Sequence, residues 1–236
     1  MSALVRGNKQ RAAAVRELFT KAGCAAEDQP VKGSKLPNIL CTLPGESEQT
    51  IIVGAHYDQV MAGQGAIDNW TGAALLPLLY ESLQLRKDRR FTFRFIAFTD
   101  EEVGLVGSRH YVKQLPKDPP PPIRAMVNID SLGLGPTNIW HARSDKKLGQ
   151  IILSLARNLE IPAGVVDVQG VGDSDSHYFD QRKIPVLDLH SVTRSTFGIL
   201  HSPQDRAEAV KLDDYYGSYR LITAFLAFLD AGATRN

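Results

Sequence analysis

The run Phe91-Thr92-Phe93-Arg94-Phe95-Ile96-Ala97-Phe98 alternates apolar with polar residues and then becomes wholly apolar. Such a run fits a strand that passes from a half-covered to a fully covered place, in the middle of a sheet with helices on both faces. Further strands are expected over 39–43, 51–55, 125–129, 138–141, 164–168 and 185–189, and helices over 72–85, 105–115, 146–159 and 212–229. Strands and helices therefore mostly alternate. This predicts an α/β fold of three layers, α/β/α, around a central mixed, mostly parallel sheet. The mixed character is expected from 39–43 and 51–55, which are separated by Pro44-Gly45-Glu46-Ser47 and read as a hairpin. At the start of the chain, Val15, Leu18 and Phe19 mark an amphipathic helix ending near Gly23 and packing on a sheet edge. Pro77 removes a backbone donor inside the 72–85 segment, so a kink or a late helix start is expected there. Residues 119–122, all proline, predict a short stiff loop.

A chain of 236 residues suits one domain, here taken as 1–236. With 43% hydrophobic and 22% charged residues, it lies in the ordinary globular range, which excludes disorder and coiled coil. A net charge of +1 is too small for a basic field, and no apolar run approaches a membrane span. Nucleic-acid and membrane partners are therefore not expected. Cys24 and Cys41 lack the close pairing of a thiolate zinc site, so nitrogen and oxygen ligands would have to hold any metal. A disulfide between the two stays open at this point.

Acidic and imidazole residues fall where the strands end. His56 follows the strand ending at Ala55, Glu101 and Glu102 follow the Phe-rich strand, and Asp130 follows Val127-Asn128-Ile129. Ligand sites of open α/β sheets form beyond the carboxyl ends of the strands, so these groups can converge despite their separation in sequence. Asp68 precedes the apolar helix and His201 precedes the last one, and both can reach the same mouth. Two imidazoles with several carboxylates suit zinc, and a carboxylate beyond those needed as ligands provides a base to activate water. That combination points to a hydrolase. His110, His141, His177 and His190 are expected as surface or packed residues.

Five separated segments, in order, resemble the co-catalytic zinc aminopeptidases, the di-zinc exopeptidases to which the glutaminyl cyclases are related. They are His56-Tyr57-Asp58, Asp68-Asn69-Trp70-Thr71-Gly72, Glu101-Glu102-Val103-Gly104-Leu105-Val106-Gly107-Ser108, Asn128-Ile129-Asp130 and His201-Ser202-Pro203-Gln204-Asp205. The resemblance runs from Ile51 to Asp230 and implies a zinc-exopeptidase-like fold with two zinc ions. By it, His56 and Asp130 would hold one zinc, Glu102 and His201 the other, and Asp68 both. Glu101 would be the general base for a metal-activated water that hydrolyses the first peptide bond of a substrate with a free amino end. Asp58 would fix the ring of His56, and Asp205 is assigned a supporting role of the same kind. The family's exported members suggest an extracytoplasmic setting.

The alternative within the resemblance is a glutaminyl cyclase, an acyltransferase with one zinc. Asn69 and Leu200 stand where cyclases carry Ser and Trp, which favours the peptidase. One departure concerns Ser174-Asp175-Ser176-His177-Tyr178-Phe179, where Ser176 occupies the place of the family's His. Phe197 and Ile199 are candidates to line a pocket for the first side chain of the substrate.

Overall fold

The computed structural model describes residues 5–117, 122–167 and 172–232. Eight strands form one sheet: β1 (Glu27–Gln29), β2 (Asn38–Leu43), β3 (Ser47–His56), β4 (Phe91–Phe98), β5 (Ile123–Ile129), β6 (Thr137–Ile139), β7 (Ala163–Val165) and β8 (Val186–His190). The helices are α1 (Asn8–Lys21), α2 (Thr71–Gln84), α3 (Val106–Gln114), α4 (Lys146–Asn158), α5 (His177–Gln181) and α6 (Leu212–Asp230). In space the strands run β1-β2-β4-β3-β5-β8-β6-β7. The central β4, β3, β5 and β8 are parallel to one another, and antiparallel pairings join β2 to β4 and β6 to β8. The sheet is thus mixed, as expected.

The two-residue period of the strands sorts the core. Ile51, Val53, Phe93, Phe95 and Val127 face one side and pack with Val15 and Phe19 of α1, Leu75 and Leu79 of α2, Ile152 of α4 and Phe225 of α6. Ile52, Ile96, Phe98 and Met126 face the other and pack with Tyr111 and Val112 of α3 and with Phe179 of α5. The phenylalanines of β4 are inaccessible or nearly so, and each such burial contributes about 2 kcal/mol. Three layers result.

The hairpin expected from 39–43 and 51–55 does not form. β4 lies between those strands, with Ile39 opposite Ala97 on one edge and Ala55 beside Ala97 on the other. β4 is apolar enough to be covered on both faces and takes two neighbours. The Pro44–Ser47 connection steps across its beginning, where Glu46 and Ser47 donate backbone bonds to Arg89 and Arg90. A short connection accommodates either arrangement, and the demand of β4 for a central place decides.

Pro77 neither breaks nor delays its helix. α2 runs continuously from Thr71 to Gln84, with Pro77 buried inside it. The other boundaries agree within a few residues, except that the expected strand 164–168 ends at Val165 and its last residue lies outside the described residues. Of the expected proline loop, residues 119–121 also lie outside them. Cys24 and Cys41 form a disulfide that ties the end of α1 to β2, with Cα atoms 6.3 Å apart.

Candidate metal centre

Parallel strands deliver their last residues to the same end of the sheet, and the acidic and imidazole groups gather there. His56, the last residue of β3, is buried; its Nε2 lies 3.2 Å from Oδ1 of Asp68 and 3.5 Å from Oδ1 of Asp130. On the other side, Nε2 of His201 lies 3.1 Å from Oδ2 of Asp68 and 2.9 Å from Oε2 of Glu102. Asp68 therefore faces both imidazoles, one through each oxygen. Ligand atoms of His56, Asp68 and Glu102 all fall within 4.8 Å of one another. Neither ring nitrogen of His56 has a hydrogen-bond partner, nor does Oε1 of Glu102, although all three atoms are buried. Interior polar atoms are normally satisfied, so such orphans need a partner. Nitrogen and oxygen donors of this kind fit zinc.

A ring of hydrogen bonds holds these groups. The carboxylate of Asp58 lies 3.4 Å from Nδ1 of His56 and accepts from the backbone N–H of Glu101 at 3.1 Å and of Glu102 at 3.2 Å. It thereby joins the end of β3 to the turn after β4. Asp205 does the same for Asp68, accepting from the N–H of Ile67 at 2.7 Å and of Asp68 at 3.3 Å. Asn69 donates to the carbonyl of Ile129 at 2.8 Å and accepts from the N–H groups of Gly72 and Ser131, which fixes the start of α2 against the end of β5. A Cβ on Gly72 would collide with Asn69 and with the Ile129 carbonyl, which explains a glycine in the first turn of a helix. Asp100, Ser131 and His201 all have positive φ, so the backbone turns sharply beside Glu101, beside Asp130 and at His201 itself.

The electrostatics reflect crowding in a buried place. Burial opposes the charged form of His56, but Asp130 and Glu101 outweigh it and hold its pKa well above the ordinary imidazole value. His201 is raised to about 9, chiefly by its hydrogen bond to Asp68. For Asp68, burial favours the acid, yet the two imidazoles beside it, His201 first and then His56, prevail and lower its pKa. Burial raises Glu101 to about 10 and Glu102 to about 7, the latter helped by the charge of Asp68. The cluster thus holds protons that a divalent cation would displace.

The groups open into a cavity of about 780 Å³. Its floor includes Asp68, Glu101, Glu102, Asp130 and His201, and its wall includes Leu105, Trp140, Tyr178, Phe197 and Leu200. Phe197 lines it as expected, whereas Ile199 packs against the core instead. His177 and His190 also line the wall, each with a partner of its own. Nδ1 of His177 pairs with Asp173 at 2.6 Å, and Nε2 of His190 is 2.9 Å from the carbonyl of Val166.

The segment that departs from the family pattern is anchored by Asp188 of β8. Its carboxylate accepts from Ser174 at 2.8 Å, Ser176 at 2.6 Å and Asn128 at 2.9 Å. Ser176, in place of the family's His, is thus satisfied within this network. Asp175, buried between the two serines in sequence, has its pKa raised to about 7, first by burial and then by Asp58 and Asp130. Asp188 and Asp175 escape sequence reasoning, where only the departure at Ser176 marks their surroundings.

A model of peptidase family M28 matches residues 38–226. Leupeptin-inactivating enzyme 1 of Streptomyces exfoliatus is 29% identical over 160 residues, or 65% of this chain and 35% of that protein. The chain therefore spans about a third of that curated relative's length. Among solved structures, the LapA aminopeptidase of Legionella pneumophila matches with a TM-score of 0.81 at 20% identity, over 94% of this chain and 64% of that one. The glutaminyl cyclase of Tannerella forsythia matches with a TM-score of 0.74 at 17% identity, over 92% and 89% of the two chains. At such identities the two structures establish the shared fold. The family match, which covers most of the chain and all the residues of the acidic and imidazole cluster, places this protein in peptidase family M28.

Proposed function

We propose that this protein is a zinc-dependent aminopeptidase with two zinc sites that share Asp68. His56 and Asp130 complete one ligand set, and Glu102 and His201 the other. The observation that carries the reading is the lining of the cavity. The described residues around it include six carboxylates, those of Asp68, Glu101, Glu102, Asp130, Asp173 and Asp188, and neither lysine nor arginine. Such a lining, acidic among the described residues, favours a cationic substrate end, a free α-amine. The apolar wall beside it accepts a hydrophobic first side chain.

Zinc, when bound, supplies Lewis acidity that polarises the scissile carbonyl and the attacking water. The chain supplies the proton handling. Glu101 stands outside both ligand sets and takes the proton as the water oxygen bonds to the carbonyl carbon. It returns that proton to the leaving nitrogen as the carbon–nitrogen bond breaks. Asp58 keeps the backbone of Glu101 and Glu102 in register with His56.

The test compares peptides that differ at one end. A peptide with a free amino group should lose its first residue, and the N-acetylated peptide should not be turned over. Equal cleavage of both would make the protein an endopeptidase. A peptide beginning with Gln should release free glutamine; ring closure without release would favour the cyclase reading instead.

A further inference from the structure

The helix α1 lies before residue 38, where the family match begins, yet it carries Arg11, the largest fully buried side chain among the described residues. A buried guanidinium is costly unless its five N–H donors find acceptors. Here the acceptors are backbone carbonyls. Nε donates to Val5 at 2.9 Å, Nη1 to Tyr57 at 3.2 Å and Asp58 at 3.4 Å, and Nη2 to Gln64 at 2.8 Å and Gly65 at 2.6 Å. The ring of Trp70 packs on the guanidinium at 5.4 Å. Burial lowers its pKa to about 10, and the nearby charges of Asp205, Asp58, Asp68 and Glu102 oppose that fall, so the group stays cationic.

Four of those carbonyls belong to the two ends of one loop. Tyr57 and Asp58 directly follow His56, and Gln64 and Gly65 come just before the Ala66-Ile67-Asp68 turn. His56 and Asp68 flank this loop, one before and one after it, and their side chains approach to 3.2 Å. The fork of a guanidinium holds several acceptors at fixed mutual positions, which the three rotatable donors of an ammonium do not. Gly65 leaves room for this clamp: its φ is +59°, and a Cβ there would meet Nη2 of Arg11 at 2.8 Å and Cβ of Gln59 at 2.7 Å.

We propose that Arg11 is a positioning residue of the metal centre, clamping both ends of the 57–65 loop so that His56 and Asp68 are pre-set for zinc. The inference rests on the zinc reading above. Its mechanism is separate from that of Asp58 and Asp205, because it acts through backbone carbonyls from a helix that contributes no ligand.

The experiment measures zinc dissociation constants by competition with a chromophoric chelator, on wild type, Arg11→Lys, Arg11→Met and Gly65→Ala. Urea unfolding of each protein, with zinc and with chelator, accompanies it. Arg11→Lys should bind zinc about 10- to 100-fold more weakly, the usual effect of losing a partner that orients a ligand. The extra stability conferred by zinc should shrink with it. Gly65→Ala, whose Cβ would press on Nη2 of Arg11 and also come within 3.0 Å of the Asp68 carbonyl, should weaken zinc in the same direction, and Arg11→Met, which removes the fork without touching Asp68, separates the clamp from that second contact. Wild-type zinc affinity in Arg11→Lys and Gly65→Ala overturns the proposal. So does a loss of stability equal with and without zinc, since that is a purely structural role. Absence of zinc binding by the wild type overturns the zinc reading itself, and the proposal with it.

Discussion

Glu101 and Glu102 are neighbours with identical side chains, yet their surroundings separate them. Glu102 lies 2.9 Å from His201, while Glu101 lines the cavity outside both proposed ligand sets. Replacing Glu101 with Gln should leave bound zinc near wild type and lower turnover by about two to four orders of magnitude, the usual worth of a general base. Replacing Glu102 with Gln should lower zinc content, and added zinc should recover part of the activity. Zinc analysis and turnover on both variants check the assignment; the opposite pattern would exchange the two roles. Asp188 gives a second test. Burial raises its carboxyl to about 6, above the ordinary value of 3.8, so the folded state binds the proton more tightly than the unfolded chain. Its contribution to stability is present below the unfolded value and is lost as pH rises through about 6, by an amount on the order of 2–3 kcal/mol. Urea unfolding of the chelated chain between pH 4 and 7 should show this fall added to those of Glu101, Glu102 and Asp175, whose carboxyls are raised as well, and Asp188→Asn should remove about one proton's share of the slope; an unchanged slope would contradict the assignment. At this scale the sequence was informative where chemistry sits at strand ends, as for His56, Glu102 and Asp130. It was silent on Arg11 and Asp188, whose partners are backbone carbonyls or side chains far away in the chain.

Elements were legible wherever a period was strong. The alternation of β4 located both the strand and its central place, and its insertion between β2 and β3 removed the expected hairpin. Local spacing reports that two strands are close in sequence; it does not report which third strand comes between them. Pro77 shows the same limit in a helix, because tertiary packing of α2 outweighs one missing backbone donor. The Cys24–Cys41 disulfide closes a loop with a sequence separation of 17 between α1 and β2. Chain entropy gives such a closure about 3 kcal/mol. Reduction, or a Cys24→Ser/Cys41→Ser double variant, should lower the urea midpoint accordingly; unchanged unfolding would show that the link adds no stability. The result also bears on Arg11, since the disulfide fixes the far end of the helix that carries it.

At the scale of the whole molecule, four parallel strands point one end of the sheet at one cavity, and acidic and imidazole residues from distant segments meet there. That convergence explains why motifs scattered along the sequence read as one site. The described helices include none long and apolar enough to cross a membrane. The central claim is that the cluster at this end of the sheet holds zinc and that the activity depends on it. Zinc per chain, by elemental analysis, should therefore be followed together with aminopeptidase turnover as a chelator removes the metal and added zinc returns it. The expected result is two zinc ions in the active chain, turnover that falls as they leave, and recovery when they are restored. Full turnover in a chain stripped of zinc and every other metal would contradict it.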